Sequence, residues 1–305
     1  MYLSDKVAIC SAPLELDLHG RKWKLPGASA FAEDVRACAT RYVMFDDVRS
    51  ACHELVDRWG DLLDPRNPTL RAPMEDVWLE WSESSIREQA GVLVNAEPDG
   101  RSGSLRIFWS TSDQADAAQA VVLFDFDNPL NFTRAQGRHL YGMRALPEEF
   151  GALKSHLALA IDESWAEYFR ASRLGNHGLP EAASLCGDEL WTDVIRTLAF
   201  FVLLGSRMPF EEREVSRERL NVQRAKAGRP ELLDHVELRL GGIGGYGEAG
   251  GGSGIGGRKQ PRMHVVRGHL VRRNDSLFWR TAHVRGRANA DDAMPVVRHV
   301  RMSGR

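Results

Sequence analysis

Apolar residues near the start of the chain recur at the spacing typical of α-helices. This pattern predicts one helix at Ala28–Thr40 and a second at Asp46–Leu63, which Asp46 or Asp47 can cap. The apolar stripe of the second helix consists of Val48, Ala51, Cys52, Leu55, Val56 and Trp59. Two prolines follow and end the helical pattern.

Four short runs with the composition of β-strands come next, and turn-rich segments separate them. The runs are Val77–Trp81, Gly91–Val94, Leu105–Trp109 and Ala120–Phe126. Consecutive strands joined by short turns predict an antiparallel meander. Glu80 is the charged residue of the first run, and we expect it on the solvent-facing side of the sheet.

Helical patterns return after the meander. They predict an amphipathic helix at Phe150–Arg173, an apolar helix at Glu189–Leu204 and a highly charged helix at Phe210–Ala227, followed by a strand at Val236–Leu240. Helices, then strands, then helices are typical of the α+β class rather than of a doubly wound parallel sheet. The predicted body is therefore an antiparallel meander surrounded by helical segments.

Glycine makes up most of residues 241–257, which predicts a flexible tether or mobile loop. Residues 242–247 match the dinucleotide-binding fingerprint, but more glycine follows them, and glycine does not start the helix that this fingerprint requires. We therefore expect no cofactor. The tether divides the chain into an α+β body (1–240), the tether (241–257) and a small basic element (258–305).

Charge is distributed unevenly along the 305 residues, whose formal net charge is −2. Residues 258–305 contain twelve Lys or Arg and three Asp or Glu, a balance of +9, so residues 1–257 carry −11. Such asymmetry is typical of proteins with a polyanionic partner. No apolar run approaches the ~20 residues that span a bilayer, and the N-terminus lacks the features of a secretory signal. We expect no membrane partner and a cytoplasmic location.

Cysteines and carboxylates give little sign of a metal site. The four cysteines contain no Cys-x-x-Cys pair and are predicted to be reduced thiols, most of which pack as small hydrophobic groups: Cys10, Cys38, Cys52 and Cys186. Asp125 and Asp127 are two residues apart at a strand end and could bind a divalent cation, but the sequence Asp-Phe-Asp-Asn-Pro is more typical of a strand-to-turn junction. We predict no metal.

The basic element has the pattern of a β-hairpin, with a turn at residues 274–276. If Arg273 pairs with Leu277, alternation of side chains places two arginines and two histidines on one face: Arg267, His269, His283 and Arg285. The other face is then apolar and contains Val266, Leu270, Phe278, Ala282 and Val284. A slip of one residue would destroy this arrangement.

This arginine and histidine face has three interpretations that the sequence leaves open. It is a solvated basic surface, a nucleic-acid contact, or a metal-independent phosphodiesterase site with His269 and His283 as acid and base. The residues predicted to contact nucleic acid are Arg267, His269, Arg272, Arg273, His283 and Arg285. Two histidines beside guanidinium groups do not favour zinc.

Three segments together resemble a group of proteins encoded by tailed phages and prophages. Residues 70–81 resemble a Leu-Pro-Phe…Trp-Ile-Glu-Trp segment, and residues 220–232 resemble Asn-Lys-x-Arg-x-Lys-x-Gly-Lys-Pro-Pro-Leu. Residues 264–273, with Trp279, resemble an Arg-Arg-Gly-His-x-Arg-Arg…Trp-Val hairpin. The resemblance implies a mobile-element origin and residence in the host cytoplasm, and it brings no established activity or catalytic residue.

These observations favour a binding protein over an enzyme. The expected function is that of a phage-type intracellular accessory protein that contacts nucleic acid through its C-terminal hairpin. The alternative is a modulator or inhibitor that binds a host or phage protein through the acidic body. A metal-independent nuclease is the third and least favoured possibility.

Overall fold

A computed structural model describes residues 1–83, 88–111, 114–130, 139–143, 146–172, 178–206, 208–240, 264–266, 268–273, 276–280 and 283–285. Its α-helices are α1 (Leu3–Ile9), α2 (Ala32–Ala37), α3 (Asp46–Trp59), α4 (Glu163–Ser172), α5 (Leu179–Gly205) and α6 (Glu218–Lys226). Short 3₁₀ segments lie at Ala28–Phe31, Gly60–Leu63 and Glu148–Ser155.

The strands follow the same chain order. They are β1 (Leu14–Leu18), β2 (Arg21–Leu25), β3 (Thr40–Met44), β4 (Asp76–Ser82), β5 (Gln89–Ala96), β6 (Ser102–Thr111), β7 (Gln114–Asp125), β8 (His139–Gly142), β9 (Leu157–Ile161), β10 (Phe210–Val215), β11 (His235–Leu240), β12 (His264–Val266), β13 (His269–Arg273), β14 (Ser276–Arg280) and β15 (His283–Arg285).

A nine-stranded sheet organises the body, with strand order β10-β11-β3-β4-β5-β6-β7-β9-β8. Strands β4 to β7 pair antiparallel in sequence, which confirms the predicted meander and the α+β class. Strand β3 pairs in parallel with both β4 and β11. The sheet is therefore mixed, with a short parallel part beside the meander.

Two helices cover one face of the sheet. Helix α3 follows β3 directly and buries Val48, Ala51, Cys52 and Leu55, the core of the predicted apolar stripe. Helix α5 confirms the predicted apolar helix but begins ten residues earlier, with a proline in its first turn. Large apolar residues of α5 such as Phe200 and Phe201 are fully buried against the sheet.

Helix α1 covers part of the opposite face and changes the environment of Glu80. Leu3 and Val7 pack in a second core cluster with Trp78 of β4. Glu80 projects toward the same face, where its Oε2 accepts hydrogen bonds from the Ser4 backbone N–H at 2.8 Å and Trp78 Nε1 at 2.7 Å. The prediction that Glu80 faces solvent is wrong because α1, which the strand pattern did not reveal, covers it.

Three predicted helices contain strands. Residues 150–173 divide into a 3₁₀ segment, β9 and α4, and residues 210–227 divide into β10 and α6. The helix predicted to reach Thr40 ends at Ala37, and β3 begins at Thr40. Strands β3 and β9 are largely or fully buried and lack alternation, and β10 is a charged edge strand, so none shows the period of two that marks a half-buried strand.

Three of the four thiols are buried in the fold, and Cys10 is partly exposed. All four cysteines are free, and Cys38, Cys52 and Cys186 are buried. Burial raises the pKa of Cys52 and of Cys186 to about 12, so both thiols stay protonated and pack as small apolar groups. Among the described helices, even the 27-residue α5 has no apolar stretch long enough to cross a bilayer.

Candidate nucleic-acid interface

The hairpin formed by β13 and β14, called here the C-terminal ribbon, packs on helix α3. Leu270 and Leu277 are buried in the main core cluster. The Leu270 backbone N–H donates to Glu54 Oε2 at 3.0 Å, and Arg272 Nη1 donates to Asp61 Oδ2 at 2.5 Å. The ribbon therefore has one face fixed to the body and one face directed away from it.

The pairing of the ribbon differs by one residue from the prediction. Arg273 pairs with Ser276 rather than with Leu277, and His269 pairs with Arg280. Residues opposite each other share a face, as do alternate residues of one strand, so this pairing places Leu270 and Leu277 on the same face, where both are buried in the main core cluster. Residues 274 and 275, between the two strands, lie outside the described residues. The burial of the two leucines in the core agrees with the observed register.

The predicted face of two arginines and two histidines required the other pairing and is wrong. Strands β12 and β15 keep the register of the ribbon, and His283 is opposite Val266 while Arg285 is opposite His264. The structure describes the backbone of His283 and Arg285 but not their side chains, and Arg267 lies outside the described residues. The contribution of these three residues stays a prediction.

The outward face of the ribbon combines an aromatic ring with cationic side chains. Cross-strand pairs place His269 beside Arg280 and Val271 beside Phe278, with Arg273 next along β13. Phe278 is 38% exposed, whereas it was predicted to lie on the core side. Since a one-residue change of register exchanges the two faces of a strand, Phe278 and Trp279 have exchanged their predicted positions.

Trp279 packs inward, and a glycine makes room for it. The indole of Trp279 lies against the main core cluster, and Gly268 lies next to the indole. A Cβ atom on residue 268 would lie 2.5 Å from Trp279 Cζ2, closer than side chains approach each other. Gly268 thus lets Trp279 anchor the ribbon and leaves Phe278 as the aromatic residue of the outward face.

The cations of the ribbon fall into two groups. Arg272 is on the inner face and forms an ion pair with Asp61, so its charge is matched by the body. Arg273 and Arg280 are exposed, and neither has an ion-pair partner within the described part of the chain. His269 is partly buried and has further contacts. The outward face therefore offers two unmatched guanidinium groups on either side of an exposed ring.

A second group of polar residues, called here the Arg196 cluster, lies between α3, α5 and the end of β4. Arg196 Nη1 donates to Glu83 Oε1 at 2.5 Å and to Asp193 Oδ1 at 3.3 Å. The indoles of Trp81 and Trp109 donate to the same two carboxylates, at 2.7 Å and 3.2 Å. Sequence analysis missed this cluster because its members, His53 included, come from four separate elements (α3, the end of β4, β6 and α5) with no motif spacing.

His53 completes the Arg196 cluster at the surface of α3. Arg196 Nη2 lies 3.3 Å from His53 Nε2, and Arg49 is close by on the same helix. Desolvation, followed by the charges of Arg196 and Arg49, lowers the pKa of His53, which favours a neutral ring that accepts from the guanidinium. Because the carboxylates already bind Arg196 and the two indoles, we assign the cluster a structural role.

Asp125 and Asp127 occupy a strand-to-turn junction. Asp125 Oδ1 accepts from the backbone N–H groups of Asp127 and Asn128 at 3.0 Å and 2.8 Å. Asp127 forms an ion pair with Arg101. The hydrogen bond that the Arg101 guanidinium donates to Asp127 Oδ1 lowers the pKa of Asp127. Within the described residues, no group of three or more potential ligands is arranged to hold a metal ion.

Comparison with protein-family models, with curated proteins and with solved structures gave no match to this chain.

Proposed function

We propose that this protein binds single-stranded nucleic acid on the outward face of the C-terminal ribbon. The observation that carries the proposal is the exposed ring of Phe278 between Arg280 and Arg273, two arginines that no described carboxylate neutralises. Proteins that bind single strands combine aromatic rings, on which bases stack, with cations that follow the phosphates. The ribbon provides both on one surface.

The exposed ring favours single strands over duplexes. Bases inside a duplex are stacked on each other, so their faces are closed to Phe278, whereas an unpaired base can lie on the ring. Stacking contributes roughly 1–3 kcal/mol per base, and each guanidinium that replaces a counterion adds affinity that decreases with salt. The proposed binding is therefore tolerant of sequence and sensitive to ionic strength.

The resemblance of three segments to phage proteins supports a proposal about where this binding takes place. We propose an accessory role in the cytoplasm of a host cell, where a phage-encoded protein meets both RNA and unwound DNA. The proposal is limited to binding because the observed register removes the reason for pairing His269 with His283 as acid and base.

The test measures anisotropy of fluorescent single-stranded RNA, single-stranded DNA and duplex DNA at about 50 and 200 mM salt, the range over which phosphate contacts affect affinity strongly. We expect tighter binding of single strands and weaker binding at the higher salt. Phe278→Ala should weaken binding by roughly 5- to 150-fold, and Arg280→Ala and Arg273→Ala should reduce the salt dependence.

Arg71→Ala is the matched control, because Arg71 is exposed and lies outside the ribbon. Equal weakening by Arg71→Ala would show non-specific attraction and overturn the assignment to the ribbon, as would the absence of binding at 50 mM salt. Gel analysis of the same samples reports the integrity of the probe. Cleavage that disappears in His269→Ala would replace the binding proposal with a nuclease.

A further inference from the structure

Among the described strands, half of β7 has a neighbour on one side only. Residues 114–117 pair with β6, whereas β9 pairs only with residues 120–124. Strand β7 therefore has an open edge over Gln114–Gln119. Along this edge, every second residue directs its backbone N–H and C=O away from β6, and no described residue accepts or donates there.

An irregularity in the ladder explains why the edge is open. The β6–β7 register shifts between Arg106 and Phe108, so that Ala118, Gln119 and Ala120 lie opposite Ile107 alone. Such bulges bend a strand and increase its twist. Pairing with β9 begins at Ala120, at the end of the bulge, and β9 itself stops at Ile161, before α4.

The space beside this edge is a groove of about 630 Å³. The open edge of β7 forms one wall, and Leu14, Leu16 and Trp165 contribute apolar surface to the rest of the lining. Trp165 is held in place because its Nε1 donates to the Pro26 carbonyl at 3.2 Å. The groove thus combines unpaired backbone groups with a fixed apolar surface.

The charged residues of the groove are acidic at its rim. Asp116 and Glu189 line it and are exposed. Lys6 lies deeper and is buried, with its Nζ 3.2 Å from Ser110 Oγ and 4.0 Å from Glu88 Oε2, so its charge is already compensated. A ligand that enters from solvent therefore meets carboxylates first.

We propose that this groove binds an extended peptide segment of a partner protein, which adds to β7 as a further strand. Main-chain hydrogen bonds to an open sheet edge are a general mode of peptide recognition, and alternate side chains of the added strand point to opposite sides. Apolar side chains on one side of the added strand would contact the apolar lining of the groove. Basic side chains on its other side would pair with Asp116 and Glu189. The partner segment is thus extended, with alternating apolar and basic residues.

This proposal is independent of the nucleic-acid proposal, since the groove and the C-terminal ribbon share no residue. The edge strands of β-sheets are usually protected from pairing with other chains by bulges, charges or covering elements. Here the bulge and Asp116 discourage pairing with arbitrary strands, but the groove leaves room for a strand that carries the complementary charge.

The probe is a fluorescent peptide of alternating lysine and valine, about eight residues long at ~3.3 Å each, which is enough to cover the open edge. Two further versions carry N-methyl groups on alternate residues, each version blocking the amides of one edge of the peptide. We expect one methylated version to lose binding and the other to keep it, because only one edge of an added strand faces β7. Hydrogen exchange of residues 114–119 should slow in the bound state.

Charge reversal tests the acidic rim. Asp116→Lys and Glu189→Lys should each weaken binding of the peptide several-fold, whereas Glu149→Lys, at an exposed position outside the groove, should leave it unchanged. Absence of binding, equal binding of both methylated versions, or unchanged exchange at residues 114–119 would overturn the proposal. Concentration-dependent dimerisation that protects the same amides would instead identify a second copy of this chain as the occupant.

Discussion

The Arg196 cluster and the outward face of the C-terminal ribbon contain the same kinds of residue, arranged for opposite purposes. Each brings together arginine, histidine and an aromatic ring. In the cluster, Glu83 and Asp193 neutralise the guanidinium of Arg196, which is only 6% exposed. On the ribbon, Arg273 and Arg280 are exposed, and no carboxylate in the described part of the chain pairs with them. The presence of a matching acid, rather than the residue types, distinguishes the structural cluster from the proposed binding surface.

Removing the cation of the Arg196 cluster gives the largest expected effect. Arg196→Ala removes the guanidinium that Asp193 and Glu83 share, and Asp193 is buried, whereas Glu83 keeps Arg49 at 3.8 Å. Breaking a buried ion pair in this way destabilises by about 3–5 kcal/mol. Chemical denaturation measures the free energy of unfolding, and Arg280→Ala is the control that should change it by less than about 0.5 kcal/mol. Equal losses in the two variants would contradict the comparison.

The second-largest expected effect comes from a substitution that weakens the contact between the C-terminal ribbon and the body. Leu270→Ala removes a fully buried side chain between the ribbon and α3, for which core substitutions cost about 2–5 kcal/mol. The ribbon should also loosen, so amide exchange across β13 and β14 should accelerate. Val271→Ala, on the outward face of the same strand, serves as the control. If exchange in the ribbon is the same in both variants, the contacts of Leu270 do not hold it in place.

Glu80→Gln should have a smaller effect, and of the opposite sign. Desolvation raises the pKa of Glu80 above that of an ordinary glutamate, so its ionised form costs stability at neutral pH. In the wild type this loss disappears as pH falls through the raised pKa toward the ordinary one. Glutamine keeps an oxygen to accept from Ser4 and Trp78, so the variant should be more stable at neutral pH and lack this part of the pH dependence. Denaturation curves between pH 4 and 8 measure the free energy of unfolding of both proteins. A variant that is less stable than the wild type at every pH would contradict the prediction that ionised Glu80 costs stability.

The smallest expected effect concerns His53. Its pKa is lowered by desolvation and by Arg196, so the neutral ring contributes stability that is fully present above the ordinary histidine pKa. That contribution is lost as pH falls through the ordinary value toward the lowered one. His53→Gln, which cannot gain a proton, should flatten this part of the stability profile. An unchanged profile would show that protonation of His53 does not disturb Arg196.

Sequence analysis predicted the parts of the fold that repeat a simple period. The meander and the apolar stripe of α3 have such periods, and both are present. Strands β3 and β9 are largely or fully buried, so their side chains show no alternation and resemble helix segments. Helix α1 was missed because its partners, among them Trp78 and Phe108, lie far along the chain.

The candidate site was predicted in its composition but not in its geometry. The hairpin and its basic character follow from residues 263–285 alone, whereas its register depends on which residues α3 can bury. Leu270 and Leu277 are both buried in the main core cluster, and this burial requires the pairing that exchanges the two faces of the ribbon. A single residue of register therefore decided whether Phe278 or Trp279 is available to a ligand.

The position of β3 between β4 and β11 has a consequence for the time at which the fold can be completed. Tyr42 pairs with Leu79 on one side and with Val236 on the other. At ~5–20 residues per second, a ribosome needs roughly 10–40 s to proceed from the first of these positions to the last. During that interval, the edge of β3 that pairs with β11 in the complete fold has no partner, because β11 has not yet been synthesised. The nascent chain must therefore be kept from pairing this edge elsewhere, and slow completion of the sheet, rather than weak packing, is its main hazard during production.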